Sequence, residues 1–174
     1  HSAVSVGLYR NGRMEYGAVY NPFYDELFTA RRGEGAFLNG APIHVNSVPL
    51  AESLALFGSA IYDRPTVPAT VRFMAELFPR TMDFRRGGSA AMDLCYLAAG
   101  RVDVFFECSL SPWDYAAASL IAQEAGAVVT ALSGLPLHFD RSCSVAAGNP
   151  VNYPELMEIA SRISAEPDMK GRIR

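Results

Sequence analysis

The stretch Val102–Gly126, VDVFFECSLSPWDYAAASLIAQEAG, decides how the rest of the chain is interpreted. It predicts a hydrophobic strand that ends in an acid, Glu107, then a short loop, and then a helix rich in small residues. The first turn of that helix carries a second acid, Asp114. Because ligands of α/β proteins collect where strands end and helices begin, this stretch indicates a cation site or polar-substrate site at a sheet edge.

The residues alone leave two interpretations of Asp114. The segment SPWD, from Ser111 to Asp114, has the spacing of a capping box with proline at the first helical position. Alternatively, Asp114 supplies one oxygen ligand to a hard divalent cation, which would need further ligands from elsewhere. Glu107 is likewise either a site residue or a surface acid at a strand end. Trp113 is interpreted as a core or sheet-edge packing residue.

A second candidate is the glycine-rich segment RRGGSAA, residues 85–91. It leads into a predicted helix that has Ser89 as its N-cap and Gly100 as its stop. Free backbone N–H groups at such a helix start suit a phosphate oxygen or a sugar hydroxyl, whereas a plain turn with a serine cap gives the same pattern. Asp93 lies inside this helix, could face solvent, and is given no role.

Composition narrows the function classes. The chain has 174 residues and a net charge of −3, without a basic stripe, so a nucleic-acid partner is not expected. Its apolar runs are too short to span a membrane and it opens without a secretory pattern. Three widely spaced cysteines indicate reduced thiols and a cytoplasmic location. Without an HExxH or GxSxG pattern, no catalytic residue is identified within the chain.

The order of patterns predicts a mixed α/β fold. Residues 2–45 indicate an antiparallel meander, in which Asn11-Gly12 is a hairpin turn. Gly33-Glu34-Gly35 is predicted as a turn because it lacks the lysine and following helix of a phosphate loop. From Ser53 onward, helical patterns alternate with strand patterns, which is typical of layered α/β folds.

Three segments in order resemble the inositol monophosphatase family of metal-dependent sugar-phosphate phosphatases. They are NPFYDELFTARRGEGAFLNGAPIHV (21–45), GSAAMDLCYLAAGRVDVFFE (88–107) and WDYAAASLIAQEAGAVVT (113–130), with Ala127 where the family has a second glycine. The resemblance implies a layered α-β-α-β sugar-phosphatase-like fold. Residues 1–50 would complete the sheet of a first, metal-binding domain, residues 51–164 would form a second α/β substrate domain, and residues 165–174 would be a loose tail.

The resemblance also implies roles for the candidate residues. Asp114 would be a metal ligand that also approaches a substrate hydroxyl, and the cofactor would be Mg²⁺. The backbone of Gly88, Ser89 and Ala90 would line the substrate. Glu107 would accept a hydrogen bond from a ring hydroxyl of inositol or a similar polyol. The implied partners are a small phosphate monoester and a second copy of the protein, as a homodimer.

One departure from the family is larger than any substitution. The motifs Gly-x-Glu-x-x-Glu and Asp-Pro-[Ile/Leu]-Asp-Gly-Thr, which hold most of the family's cation ligands, do not occur in this sequence. The chain is therefore expected to be the C-terminal portion of such an enzyme and to be inactive alone. The intact protein would hydrolyse inositol monophosphate or a related sugar phosphate. Alternatives are a bisphosphate nucleotidase, a fructose-bisphosphatase, a histidinol-phosphatase, or a non-catalytic oligomerisation module.

Overall fold

A computed structural model describes residues 2–60, 62–169 and 173. These residues form four α-helices, α1 to α4, and ten strands, β1 to β10, in a mixed α/β arrangement. The helices are α1 Val67–Leu77, α2 Ala90–Ala98, α3 Pro112–Glu124 and α4 Tyr153–Ser164. The strands are β1 Val4–Arg10, β2 Arg13–Asn21, β3 Glu26–Arg31, β4 Ala36–Leu38, β5 Ala41–Ile43, β6 Leu54–Phe57, β7 Asp83–Arg85, β8 Val104–Leu110, β9 Val128–Thr130 and β10 Cys143–Gly148.

The first five strands form one antiparallel sheet in chain order, which confirms the predicted meander. The hairpin at Asn11-Gly12 joins β1 to β2, and Val6 pairs with Ala18 across it. Alternation along the strands gives this sheet two different faces. One face buries Val19 and Phe28 completely, whereas Val6 on the other face is 58% exposed.

The predicted turn at Gly33-Glu34-Gly35 is confirmed, and its backbone has a partner within the protein. The N–H groups of Gly33 and Gly35 donate to the two carboxylate oxygens of Glu124, at 2.9 and 3.0 Å. Glu124 is the last residue of α3, so this contact ties the first sheet to that helix. The turn thus binds an internal carboxylate where a phosphate loop would bind phosphate.

The second sheet has the strand order β7-β6-β8-β10-β9. Strand β6 runs parallel to β7 and β8, whereas β10 is antiparallel to β8 and β9. Ala55 of β6 pairs with Val104 of β8, and Val145 of β10 pairs with Glu107 of β8. The carboxyl ends of three parallel strands therefore meet at one edge of the sheet, where ligand sites of α/β proteins are commonly found.

The layers follow from which face each helix buries. Helices α2 and α3 lie between the two sheets, and α1 and α4 pack against each other on the far side of the second sheet. Tyr115, Leu120 and Ile121 of α3 are fully buried because this helix is enclosed on both sides. The order is α-β-α-β from α1 and α4 to the first sheet, as predicted.

A buried polar network joins the segment after β5 to the second sheet. Asn46 donates to the carboxylate of Asp103, which also accepts the N–H of Leu54 at 2.6 Å. Asn149 donates to the side-chain oxygen of Asn46 at 3.1 Å, and Asn152 donates to the carbonyl of Asp103 at 3.1 Å. Oδ1 of Asn152 is buried without a partner among the described residues, but the other hydrogen bonds of the network tie the segment after β5 to the second sheet.

The structure differs in detail from two sequence predictions, one for the serine cap at the start of α2 and one for the tail. Ser89 occupies the N-cap position of α2, but its side chain makes no capping hydrogen bond. In the predicted loose tail, Glu166 accepts hydrogen bonds from Arg72, at 3.0 Å in the shortest case, and Met169 is 6% exposed. Packing against α1 and the core thus holds the start of the tail, whereas residues 170–172 and 174 lie outside the described residues.

A search of the described residues for membrane-spanning helices found none with the required length and apolar character.

Candidate functional site

The main cavity of the described chain lies where the parallel strands of the second sheet end. It has a volume of ≈ 860 Å³. Its walls come from three loops at the carboxyl ends of β6, β7 and β8, together with the beginning of β1. Its lining includes Ser2, Ala3, Ser5, Gly58, Ala60, Arg86, Gly88, Ser89, Ala90, Asp93, Glu107, Trp113 and Asp114. All five site residues predicted from the sequence are among them.

Glu107 lies in the wall of this cavity and is 8% exposed. The N–H of Ala60, in the loop after the neighbouring strand β6, donates to its Oε1 at 2.9 Å. A Cβ atom on Gly58 would lie 1.8 Å from Oε2, so only glycine allows the carboxyl to sit against this loop. Burial raises the pKa of Glu107 to about 7, the Asp114 charge adds to this, and the Ala60 N–H and Arg86 oppose it.

Asp93 is a cavity residue that the sequence prediction missed. It is 2% exposed rather than solvent-facing, because α2 is enclosed between the two sheets. Its carboxyl packs against the loop before the helix, where a Cβ atom on Gly87 would lie 1.8 Å from Oδ1. Burial raises its pKa to about 7, with repulsion from Glu107 adding to the effect and the Arg86 charge opposing it. The available signal was that Asp93 is the only charged residue in the apolar helix AAMDLCYLA.

Asp114 lies in the first turn of α3 at the edge of the cavity. Its Oδ2 accepts the backbone N–H of Ser111 at 3.0 Å, which is the capping contact that the SPWD spacing predicts. No residue in the described part of the chain donates to its Oδ1. One oxygen therefore serves the helix cap, and the other remains for a ligand in the cavity.

The start of α2 forms another wall of the cavity. Gly88, Ser89 and Ala90 line it, and no side chain caps the helix there. The first N–H groups of an α-helix have no partner within the helix, and the helix dipole places partial positive charge beside them. This wall therefore suits an anionic or hydroxyl oxygen.

Trp113 stands at the opening of the cavity and is 76% exposed. The prediction that it packs in the core or at a sheet edge is wrong. As the second residue of α3, it projects beyond the last turn that the two sheets cover, whereas Tyr115 two positions later is fully buried. An exposed indole beside a polar cavity offers a flat surface to a ligand.

The described cavity residues alone do not form a magnesium site. Asp114 offers one free carboxylate oxygen, whereas Mg²⁺ prefers about six oxygen ligands, some of them water. Within residues 2–60, 62–169 and 173, no group of three or more His, Cys, Asp or Glu side chains could hold a metal ion. The residues that the structure describes therefore do not complete the implied Mg²⁺ site by themselves.

Comparison with known proteins identifies the family. The sequence profile of the inositol monophosphatase family matches residues 1–165. The chain belongs to the inositol monophosphatase family. Among family members, the Nus factor SuhB of Vibrio cholerae is 42% identical over 159 residues, which are 91% of this chain and 59% of that protein.

Solved inositol monophosphatase structures share the fold. The inositol monophosphatase of Anabaena (Nostoc) sp. PCC 7120 matches with a TM-score of 0.85 at 38% identity, over 92% of this chain and 66% of that one. A structure described as inositol monophosphate bound SaIMPase-II, a staphylococcal protein, matches with a TM-score of 0.81 at 28% identity, over 90% of this chain and 60% of that one. The chain thus spans about three fifths of the length of the V. cholerae relative and of SaIMPase-II.

Proposed function

We propose that the protein carrying this chain is a Mg²⁺-dependent phosphoric monoester hydrolase that acts on inositol monophosphate or a related sugar phosphate. The observation that carries this proposal is the meeting of Glu107, Asp114 and the start of α2 at one cavity, in a chain that matches the family over residues 1–165. A similar protein, SaIMPase-II, has been solved with inositol monophosphate bound, which supports this substrate class.

Each wall of the cavity has a proposed task. The N–H groups at Gly88, Ser89 and Ala90 hold a substrate oxygen by hydrogen bonds and helix-dipole attraction. Glu107, held by the Ala60 N–H, accepts a hydrogen bond from a ring hydroxyl. Asp114 offers its free oxygen to the metal, with its other oxygen fixed by the N–H of Ser111. These contacts orient the substrate, which is a large part of what an active site contributes.

In this proposal Asp114 binds the Mg²⁺ ion, and the remaining ligands come from outside these 174 residues. Metal ions in phosphoester hydrolysis activate water and neutralise charge on the leaving oxygen. One carboxylate cannot hold the ion firmly enough for this purpose. The 174-residue chain alone is therefore expected to be inactive, and the homodimer and the cytoplasmic location remain proposals beside it.

A phosphate-release assay tests the proposal. The purified chain is assayed with MgCl₂ on inositol monophosphate, fructose bisphosphate, histidinol phosphate and a nucleotide bisphosphate. The assay is repeated after adding the part of the V. cholerae relative that this chain does not match, as a separate polypeptide. We expect magnesium-dependent release from the combination, fastest with inositol monophosphate, and almost none from the chain alone.

The outcomes separate the alternatives. Magnesium-dependent release by the pure chain would contradict the expected inactivity. Faster release from one of the other substrates would favour the corresponding fructose-bisphosphatase, histidinol-phosphatase or bisphosphate nucleotidase. A complex that forms in sedimentation experiments but releases no phosphate would contradict the phosphatase proposal.

A second candidate is a non-catalytic role. The relatives from V. cholerae and Pasteurella multocida bear the name Nus factor SuhB rather than a phosphatase name. Such a role would leave the cavity without a substrate. The complex of this chain with the added part of the V. cholerae relative would then show neither phosphate release nor inositol binding.

A further inference from the structure

Asp93 is a buried acid that the fold does not explain. Its side chain is 2% exposed, and no group in the described part of the chain donates a hydrogen bond to its carboxyl, whose oxygens open onto the cavity instead. The buried acid Asp103, by comparison, accepts from Asn46 and from the N–H of Leu54. Burying an unpaired carboxyl destabilises a folded protein, so a residue kept only for packing would be apolar here.

The carboxyl of Asp93 shares the cavity with that of Glu107. Both residues line it, one from α2 and one from β8. Each carboxyl packs against a loop at which a Cβ atom would lie 1.8 Å away, on Gly87 for Asp93 and on Gly58 for Glu107. Two loops at the carboxyl ends of neighbouring strands thus leave room for two acids at the same end of the cavity.

Asp93 lies close to the free N–H groups at the start of α2. It belongs to the first turn of α2, and its backbone N–H donates to the carbonyl oxygen of Ser89, the N-cap residue, at 2.8 Å. A ligand oxygen held by the free N–H groups near Ser89 would therefore place its neighbouring atoms within one helical turn, ~5.4 Å, of Asp93.

We infer that Asp93 is a second hydroxyl-binding residue and that, with Glu107, it selects an uncharged polyol over a group bearing a second phosphate. This inference rests on the proposed function, whose substrate class it narrows. A carboxyl group accepts hydrogen bonds from hydroxyls, and a vicinal pair of hydroxyls can be shared by two acids. A second phosphate entering the same end of the cavity meets two acidic groups, and this repulsion discriminates against bisphosphates.

The test compares Asp93→Asn with the unaltered chain in metal-free buffer. Binding of myo-inositol, and of fructose bisphosphate as the competitor, is measured by ligand-observed NMR on the 174-residue chain. We expect Asp93→Asn to weaken inositol binding about 10-fold, since a neutral amide oxygen replaces the stronger, ionised acceptor. The same variant should bind fructose bisphosphate more tightly than the unaltered chain does. Asp140→Asn, at an exposed acid outside the cavity, is the matched control and should change neither.

Two results would overturn the inference. One is inositol binding by Asp93→Asn that equals that of the unaltered chain, and the other is absence of inositol binding by the unaltered chain. A ¹H–¹⁵N spectrum of each variant verifies that the fold is retained, because the asparagine side chain has nearly the same shape. Inositol binding that Asp93→Asn leaves unchanged overturns this inference alone, whereas absence of phosphate release in the separate assay overturns the proposed function, so the two failures are distinguishable.

Discussion

At the residue scale, the site depends on two glycines as much as on its acids. Gly58 and Gly87 leave the space in which the carboxyls of Glu107 and Asp93 lie against loop backbone. Both carboxyls are thereby held at the cavity wall in a nearly dry environment, with their pKa values raised to about 7. The loops and the acids form one unit, so altering a loop is expected to disturb the neighbouring acid.

The first prediction concerns Gly58→Ala. The new methyl group would lie 1.8 Å from Oε2 of Glu107 and would force the carboxyl or the loop to move. We expect loss of inositol binding and destabilisation of roughly 1–3 kcal/mol, measured by NMR titration and urea unfolding. The control is Gly7→Ala, whose methyl group meets the flexible end of Met14 instead. Unchanged inositol binding by Gly58→Ala would contradict the prediction.

The second prediction concerns the stability of Asp93→Asn as a function of pH. The carboxyl has its ordinary pKa of 3.8 when unfolded and about 7 when folded, because of burial and repulsion from Glu107, opposed by Arg86. The folded state therefore binds the proton more tightly, and its stability falls as pH rises from about 4 to about 7. Asparagine does not ionise, so the Asp93→Asn variant does not lose this stability as pH rises. We expect the variant to be more stable by roughly 1–3 kcal/mol at about pH 8, and nearly equal at about pH 4.

Urea unfolding of both proteins across this pH range, in metal-free buffer, measures the difference. A variant that is less stable than the unaltered chain at about pH 8 would show that the ionised Asp93 has a stabilising partner. Taken with the inositol titration, a gain in stability together with a loss of binding would be the signature of a residue kept for a ligand.

At the scale of elements, the β8–α3 connection combines a helix cap with a site residue. Oδ2 of Asp114 accepts the N–H of Ser111, and Oδ1 remains free of hydrogen bonds from the described residues. The two interpretations that the sequence left open are therefore compatible in geometry. The cap thus fixes the orientation of the Asp114 carboxylate.

The third prediction separates the cap of Asp114 from its proposed metal role. Asp114→Ala removes both oxygens, so we expect the chain to lose about 1 kcal/mol of stability. Asp114→Asn retains an acceptor for the N–H of Ser111 and should lose less. Urea unfolding of the metal-free chain makes the comparison, with Asp140→Ala as the control at an exposed acid. Equal stability of Asp114→Ala and the unaltered chain would contradict the capping role.

The elements were largely predictable because their signals are local. The Asn11-Gly12 turn, the alternation of the first strands and the proline at the start of α3 each depend on a few neighbouring residues. The errors concern burial, which depends on distant contacts. Asp93 is buried because two sheets enclose α2, and Trp113 is exposed because α3 starts beyond them. The hydrophobic periodicity of α2 does not show that Asp93 is buried, and that of α3 does not show that Trp113 is exposed.

The residues that line the cavity were likewise only partly predictable from the sequence. The sequence predicted five lining residues, all of which reach the cavity, although their roles there remain proposals. It did not predict that Ser2, Ala3 and Ser5 would line the same cavity. Ser5 belongs to β1 and the other two residues precede it, and only the packing of α2 and α3 between the sheets brings them to the edge of the second sheet.

At the scale of the whole molecule, the four layers end in an uncovered sheet face. Val4, Val6 and Leu8 of β1 are 60, 58 and 51% exposed on the side of the first sheet opposite α2 and α3. Leu27 of β3 adds to the same face at 42% exposure. Contiguous exposed apolar surface of this kind favours association.

The fourth prediction is that the 174-residue chain self-associates through this face. We expect Val6→Lys to lower the sedimentation-derived association constant at least about 10-fold, because it places a charge in the centre of the apolar surface. Leu135→Lys is the matched control, since Leu135 is 62% exposed and belongs to the loop after β9. A monomeric chain, or equal effects of the two variants, would contradict the prediction.

The central claim is that this cavity binds a phosphorylated polyol in a defined orientation. A crystal structure of the chain soaked with inositol monophosphate tests it most directly. We expect inositol monophosphate to lie in the cavity with its phosphate beside Asp114, a substrate oxygen at the start of α2 beside Gly88, Ser89 and Ala90, and ring hydroxyls at Glu107 and Asp93. A ligand bound outside the cavity, or one whose ring hydroxyls contact neither Glu107 nor Asp93, would contradict this.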